Sequence, residues 1–268
     1  MKLLVLGSSG SAGSGLADPD REAWPWLVHA ALEPRFGPIE LVHRRYFVAA
    51  PGALDYLDEQ LDAHQADWVM LQTTAYPLTL RTVAYKISHK VSPRAGKFAE
   101  RYFNRFDAAT RRRGRALRGL NHASHWLAGH AIGRDTQGRY ETVIERYTQT
   151  IDRIARYEAA RSGVMGTGVP RRSVVQDNPS CVPMVHKMNA ELRAQAGRRR
   201  IPWVDHDAVT ADIADHDSTF CDIVHKNALW HRRIAEAVLQ VLEPGVSLAD
   251  TAPAAPAASA EQGVWGVR

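Results

Sequence analysis

Toward the start of the chain, the segment VLGSSGSAG sets three serines, Ser8, Ser9 and Ser11, among Gly7, Gly10 and Gly13, directly after an apolar run. Toward its end, CDIVHKNALWHRR sets Asp222 and His225 three residues apart, with Asn227 just beyond. Two chemistries fit these residue types. A G-x-x-G-x-x-G turn after a strand can close its backbone N–H groups around a dinucleotide. A strand-end serine can instead attack an acyl carbon, provided an imidazole takes its proton and a carboxylate orients that imidazole. A spacing of three puts Asp222 and His225 on the same side of one turn, and the chain order is Ser, Asp, His.

Each chemistry asks for more. An NADP site wants arginines at the end of the second strand, and His43-Arg44-Arg45 supplies Arg44 and Arg45 there. Hydride chemistry of that kind wants a Tyr-x-x-x-Lys pair, but Tyr157 is followed four on by Arg161 and Tyr85 by His89. The serine chemistry shares its chain order with α/β-hydrolases but lacks their G-x-S-x-G elbow, since the fifth position from Gly7 is Ser11.

The elements that must carry these residues follow from periodicity. Five apolar runs read as strands: Lys2–Leu6, Ile39–His43, Trp68–Gln72, Val164–Val169 and Ile201–Asp205. The first and third are near-continuous, as in strands covered on both faces of a parallel sheet. Helical stripes lie between them: Trp24, Leu27, Val28, Ala31 and Leu32; Leu54, Leu57 and Leu61; Tyr140, Val143, Ile144, Tyr147, Ile151 and Ile154; and Leu229, Ile234, Val238, Val241 and Leu242. Gly163 is placed to cap the third stripe. Strand and helix in alternation predict an α/β fold with a parallel sheet. The alternation breaks at 78–139, far longer than an ordinary connection, where Phe98, Tyr102 and Phe106 recur four apart. This reads as a mainly helical cap inserted in a domain spanning 1–243. Residues 244–268 are Ala/Pro/Ser-rich without periodicity and are expected to be a disordered tail.

Composition bounds the class. The 268 residues are 45% hydrophobic and 24% charged, as in soluble globular proteins. No run approaches the roughly 20 apolar residues of a membrane span, and the short run Leu3–Leu6 does not resemble a secretory signal. A cytoplasmic protein is expected. Cys181 and Cys221 show no metal-ligand spacing and fit two ordinary thiols. The net charge of +5 is uneven: residues 81–140 hold 14 Lys/Arg against 3 Asp/Glu, while the remainder holds 20 against 26. No nucleic-acid motif stands beside Arg111, Arg112, Arg113 and Arg115, which weighs against a nucleic-acid partner. If those charges face the cleft, they favour anionic substrates.

VLGSSGSAG resembles the first block of the SGNH (GDSL-type) hydrolases, G-D-S-x-[ST]-x-G, with Gly7, Ser9, Ser11 and Gly13 on family positions and Ser8 in place of aspartate. DIVHKNALWHRRIAEAVL is similar to the family's last block, D-x-x-H-P-N and a helix, with Lys226 in place of proline. IPWVDHDAV and VMGTGVP resemble the family's adjoining strands, and the resemblance covers about 1–77 and 140–242. It implies a three-layer α/β/α, flavodoxin-like fold with a five-stranded parallel sheet. It also implies an esterase with Ser9 as nucleophile, His225 as base and Asp222 as orienting carboxylate, needing no cofactor. The Ser9 N–H would be one oxyanion donor. The family's glycine after the second strand has only Gly52 as a loose counterpart, and its G-x-N-D is replaced by QTTAYP, leaving Gln72, Thr73 or Thr74 to donate.

The expected substrate is a small ester, with an NADP-binding oxidoreductase or epimerase as the alternative enzyme and a silent binding module of the same fold as a third reading. Asp205-His206-Asp207 and Asp215-His216-Asp217 match no standard metal loop and read as turn and cap chemistry, so no metal is expected. His231 reads as a helix-face residue, and His122, His125 and His130 around Trp126 as surface or packing groups.

Overall fold

The computed structural model describes residues 1–99, 101, 135–157, 160–222 and 224–248. Seven strands are described: β1 (Lys2–Gly7), β2 (Glu40–Arg45), β3 (Trp68–Gln72), β4 (Arg81–Thr82), β5 (Asp135–Thr136), β6 (Arg161–Met165) and β7 (Trp203–Val204). Five of them form a central parallel sheet in the order β2-β1-β3-β6-β7. The apolar runs of β1 and β3 are buried on both faces, which is why they lack polar alternation. Leu4, Leu6, Val69 and Leu71 meet the helices Ala53–His64, Tyr140–Arg156 and Cys181–Arg198. Leu3, Val5, Trp68 and Met70 meet Trp24–Phe36 and Ala228–Leu242 on the other side. The result is the three-layer α/β/α sandwich, with the carboxyl ends of all five strands at one edge.

Several boundaries differ from the sequence reading. The strand expected over Val164–Val169 runs Arg161–Met165 instead, because Asn189 takes over the backbone beyond it. Thr167 N–H donates to Asn189 Oδ1 at 3.1 Å, and Asn189 Nδ2 donates to the Thr167 carbonyl at 2.7 Å. Gly163 caps no helix. It lies inside β6 opposite Met70, where a Cβ would stand 2.7 Å from Met70 Sδ. The second strand extends to Arg45, since the ladder with β1 continues to Gly7. His231 lies on the buried face of the Ala228–Leu242 helix, and its Nδ1 accepts the Trp24 N–H.

The excursion after β3 is clasped at its root. There β4 pairs antiparallel with β5, a pairing that the sequence did not signal. Val83–Lys90 forms a helix capped by Thr82 Oγ1. Tyr102, Phe106, Arg111 to Arg113, Arg115 and the histidines around Trp126 lie outside the described residues. At the other end, the packed chain continues past 243. Val246 and Leu248 are buried against the helix layer, and Leu248 N–H donates to Glu236 at 3.2 Å. Of the tail expected from 244, Val246 and Leu248 are packed on the core while Pro244 and Gly245 are exposed; 249–268 lie outside the described residues. Among the described residues, no helix is long and apolar enough to cross a membrane.

Candidate active site

Ser9 sits in the turns that follow β1, and the glycines around it are needed for close approach. A Cβ on Gly7 would lie 2.0 Å from Ser11 Oγ. Gly13 has φ +71°, a backbone region that side chains disfavour. The loop is folded onto itself. Ala12, Gly13 and Ser14 donate N–H groups to the carbonyls of Ser8, Gly10 and Ser9, and Gly10 N–H donates to Ser8 Oγ at 3.2 Å. Amides spent in this way cannot ring a pyrophosphate, and the next helix of any length starts only at Trp24. Arg44, held by Gln60 Oε1 and its neighbour's carbonyl, lies along β2 toward the Ala53–His64 helix; Arg45 is exposed. The parts of an NADP site are present in sequence but not assembled.

Ser11 is fully buried. Its single hydroxyl proton goes to the Ser8 carbonyl at 2.9 Å, so its 2.8 Å contact with His43 must be donated by His43 Nε2–H. Burial first, and then Arg45 and Arg44, push His43 down to about 4, keeping it neutral. Ser11 is thus a structural tie between β1, its loop and β2, and it is not open to substrate.

The last block arrives from the far end of the chain. Asp222 Oδ1 accepts the N–H groups of Val224 and His225 at 2.8 and 2.7 Å. Its Oδ2 lies 2.7 Å from His225 Nδ1. His225 Nε2 in turn lies 3.1 Å from Ser9 Oγ. Side chains from the two ends of the sequence thus stand in one hydrogen-bonded line. Burial pushes the Asp222 carboxyl up, but hydrogen bonds from the His225 ring and from the His225 and Val224 N–H groups outweigh it and hold the carboxyl below its usual range. An ionised Asp222 accepts from Nδ1–H, which leaves Nε2 bare toward the serine. The segment is fastened by Tyr76 Oη to the Val224 carbonyl at 2.9 Å and by Arg171 to the Asp222 carbonyl at 3.1 Å. Buried beside Asp222 and Cys221, the Tyr76 phenol is pushed up to about 12 and remains a donor. Asn227 caps the final helix, accepting Trp230 N–H.

The oxyanion candidates separate by what they already bind. Thr73 gives both its N–H and its hydroxyl to the Met165 carbonyl. Thr74 N–H goes to Tyr147 Oη at 2.8 Å, and its hydroxyl oxygen accepts from Tyr76 N–H. Gly52 is the exposed, left-handed N-cap of Ala53–His64 and does not line the cavity beside Ser9. Gln72 does line it, with Oε1 buried and unpartnered and Nε2 3.8 Å from where a Gly10 Cβ would stand. Among the described residues, no backbone carbonyl of the loop accepts the Ser9 N–H.

The remaining polar residues fall into packing and capping. Asp205 and Asp215 are N-caps, accepting from Asp207 and Ala208 and from Asp217 respectively. Cys181 is buried, Cys221 is exposed, and both are free thiols. The structure also brings in residues that the sequence did not single out as site residues. Tyr76, Arg171 and His206 line the cavity from separate segments, Asn189 reaches Thr167 from the Cys181–Arg198 helix, and only Lys226, by standing where the resembling block has proline, carried a signal.

No family model matches the chain, and no curated protein matches it. Solved structures do. TesA aligns at 16% identity over 91% of this chain and 99% of its own, with TM-score 0.53. A catalytic mutant of the acetylxylan esterase Axe2 from Geobacillus stearothermophilus aligns at 12% identity over 90% and 94%, with TM-score 0.56. A lipolytic protein of the G-D-S-L family from Desulfitobacterium hafniense aligns at 11% over 90% and 99%, with TM-score 0.50. What this chain shares with them is the fold, the α/β/α arrangement of the SGNH-type hydrolases.

Proposed function

We propose that a chain with this fold is a serine esterase that hydrolyses a short O-acyl ester through an acyl-Ser9 intermediate. The observation that carries this reading is the line Ser9 Oγ–His225 Nε2, His225 Nδ1–Asp222 Oδ2, at 3.1 and 2.7 Å. That the similar structures include an acetylxylan esterase and a lipolytic protein supports ester cleavage. Ser9 Oγ bonds to the acyl carbon as its proton passes to His225 Nε2, and the carbonyl oxygen becomes an oxyanion. The ester C–O bond then breaks, and the departing alcohol oxygen takes the proton from His225. A water molecule attacks the acyl-serine by the same route, returning the serine and releasing the acid. Asp222 keeps the imidazole in the Nδ1–H tautomer throughout. The Ser9 N–H and the Gln72 side-chain amide are the assigned oxyanion donors, because both Thr73 donors and the Thr74 N–H are spent elsewhere. Loss of one such donor costs about two to three orders of magnitude in rate.

The test is covalent labelling of the full chain with a fluorophosphonate, with the adduct located by peptide mass. Labelling at Ser9, abolished in Ser9→Ala, is expected. Adducts at Ser8 or Ser11 would overturn the assignment, and tight NADPH binding without labelling would favour the oxidoreductase.

A further inference from the structure

The cavity beside Ser9 holds about 60 Å³, and its lining includes Ser8 and Gly10 on either side of that serine in sequence, together with Lys226, His206 and Trp230. The wall at Lys226 is polar in a way that packing does not explain. Lys226 is 8% exposed. Its Nζ donates to Thr219 Oγ1 at 3.0 Å and lies 3.4 Å from the Phe220 ring centroid. An ammonium has three protons to give, and among the described residues only the Thr219 hydroxyl accepts one. Trp230 is 1% exposed and His206 4%, their rings 4.8 Å apart; Trp230 Nε1 has no hydrogen-bond partner and is itself sealed off, and His206 Nδ1 lies 3.8 Å from Asp207 Oδ1. Buried polar groups left unpaired are costly and uncommon. The mismatch also has a sign. The Lys226 ammonium only donates, so the wall calls for a ligand rich in acceptors.

Resting on the serine-esterase reading, we propose that this cavity receives the acyl group and selects a short acyl chain ending in a carboxylate, held by Lys226. The alcohol belongs outside it, because its oxygen must meet His225 Nε2, and His225 and Asp222 do not line the cavity, their side chains being 20% and 47% exposed. The size fits. At roughly 10–15 Å³ per water-sized site, the cavity takes about four to six non-hydrogen atoms, and a succinyl group has five beyond its ester carbonyl. A carboxylate would also supply the acceptors that the wall lacks.

The charge state of Lys226 gives the selection a pH signature. Burial lowers it to about 7, against the pull of Asp207 and Asp217. Of the neighbours on this wall, His206 is held neutral by burial and Tyr76 remains protonated. His216 and Arg171 complete the charged surroundings, Arg171 lying against Asp217. In the free enzyme, attraction for a carboxylate is therefore full below about pH 7 and is lost above it.

The test compares kcat/KM for monoethyl succinate and ethyl 4-methylpentanoate, which carries an isopropyl group where the succinate has its carboxylate, by ethanol release from pH 6 to 9. His225 serves both esters, so its contribution cancels in the ratio. The expected ratio favours the succinate at least tenfold at pH 6.5, is flat below pH 7, and falls toward tenfold per pH unit above it. Lys226→Met lowers the ratio at pH 6.5 at least tenfold and flattens its pH dependence. The wild-type profile needs no variant, so it stands even if Lys226→Met folds poorly. Ser9-dependent hydrolysis that prefers the neutral ester at every pH, or a ratio unchanged in folded Lys226→Met, overturns the proposal and leaves the esterase reading intact. Failure of both esters together with unlabelled Ser9 overturns both.

Discussion

Replacing Asp222 with asparagine tests the site at its most exposed member. The amide oxygen of the new side chain could still accept the Val224 and His225 N–H groups, so the turn keeps the two bonds that wild type makes at 2.8 and 2.7 Å. The amide nitrogen, however, would face His225 Nδ1 across the 2.7 Å contact, and two donors cannot share it. The ring escapes by moving its proton to Nε2, which then points a hydrogen at Ser9 Oγ and has no lone pair to receive one. A carboxylate-to-amide change with this consequence costs about 10⁴ in kcat, or about 5.4 kcal/mol of barrier at 1.36 kcal/mol per factor of ten. Asp222→Ala should lose as much activity and some stability too, because both backbone acceptors vanish. Each such bond is worth about 0.5–1.5 kcal/mol, taken at the low end because the side chain is half exposed, so Tm should fall by about 2–4 °C. The assay is steady-state hydrolysis of 4-nitrophenyl acetate alongside thermal unfolding. Asp222→Asn retaining more than a tenth of wild-type kcat would refute the argument and reduce Asp222 to a loop cap.

Two further outcomes follow from the packing around the serine loop. Gly7→Ala places a methyl 2.0 Å from Ser11 Oγ; it should cost about 1–3 kcal/mol, as overpacking does, and slow phosphonate labelling of Ser9 at least tenfold. Normal labelling kinetics in that variant would show that the Ser11 tie does not position the nucleophile. The buried neutral histidines make the fold acid-labile. His43 titrates near 4 and His231 near 3 when folded, whereas an unfolded histidine binds its proton below about 6.5. Between those values the unfolded chain holds more protons, so stability is full above pH 6.5 and falls by about 1.4 kcal/mol per pH unit for each such histidine as pH drops. His43→Gln keeps a donor for Ser11 and does not titrate; urea midpoints from pH 6.5 to 4.5 should fall less steeply by that amount, and an unchanged slope would contradict the assignment.

The strand pattern was legible because a parallel strand buried on both faces must be apolar at every position, and Leu3 to Leu6 and Trp68 to Leu71 are. The stripe from Val143 to Ile154 was legible for the related reason that one helical face meets the sheet. Strand ends were less so. Asn189 decides where β6 stops, through contacts made from another helix, and no local pattern announces a clamp of that kind. The same distinction runs through the site. Residue types and spacing in VLGSSGSAG and DIVHKN were enough to nominate Asp222, His225 and one of three serines, because a turn of three residues dictates that the aspartate and the histidine share a side; only the resemblance to the SGNH block pointed to Ser9. Which of the three serines faces the imidazole was a tertiary matter: Ser11 is drawn under β2 by His43, and Ser9 is left 3.1 Å from His225. So was the fate of the oxyanion candidates, since Thr73 and Thr74 are indistinguishable from donors in sequence until Met165 and Tyr147 are seen to occupy their N–H groups. The cavity could not be read from the chain at all. His206 looked like part of a polar turn and Lys226 like a substitution in a motif; they share a wall because parallel strands end at one edge, and chain folding alone brings that edge's loops together.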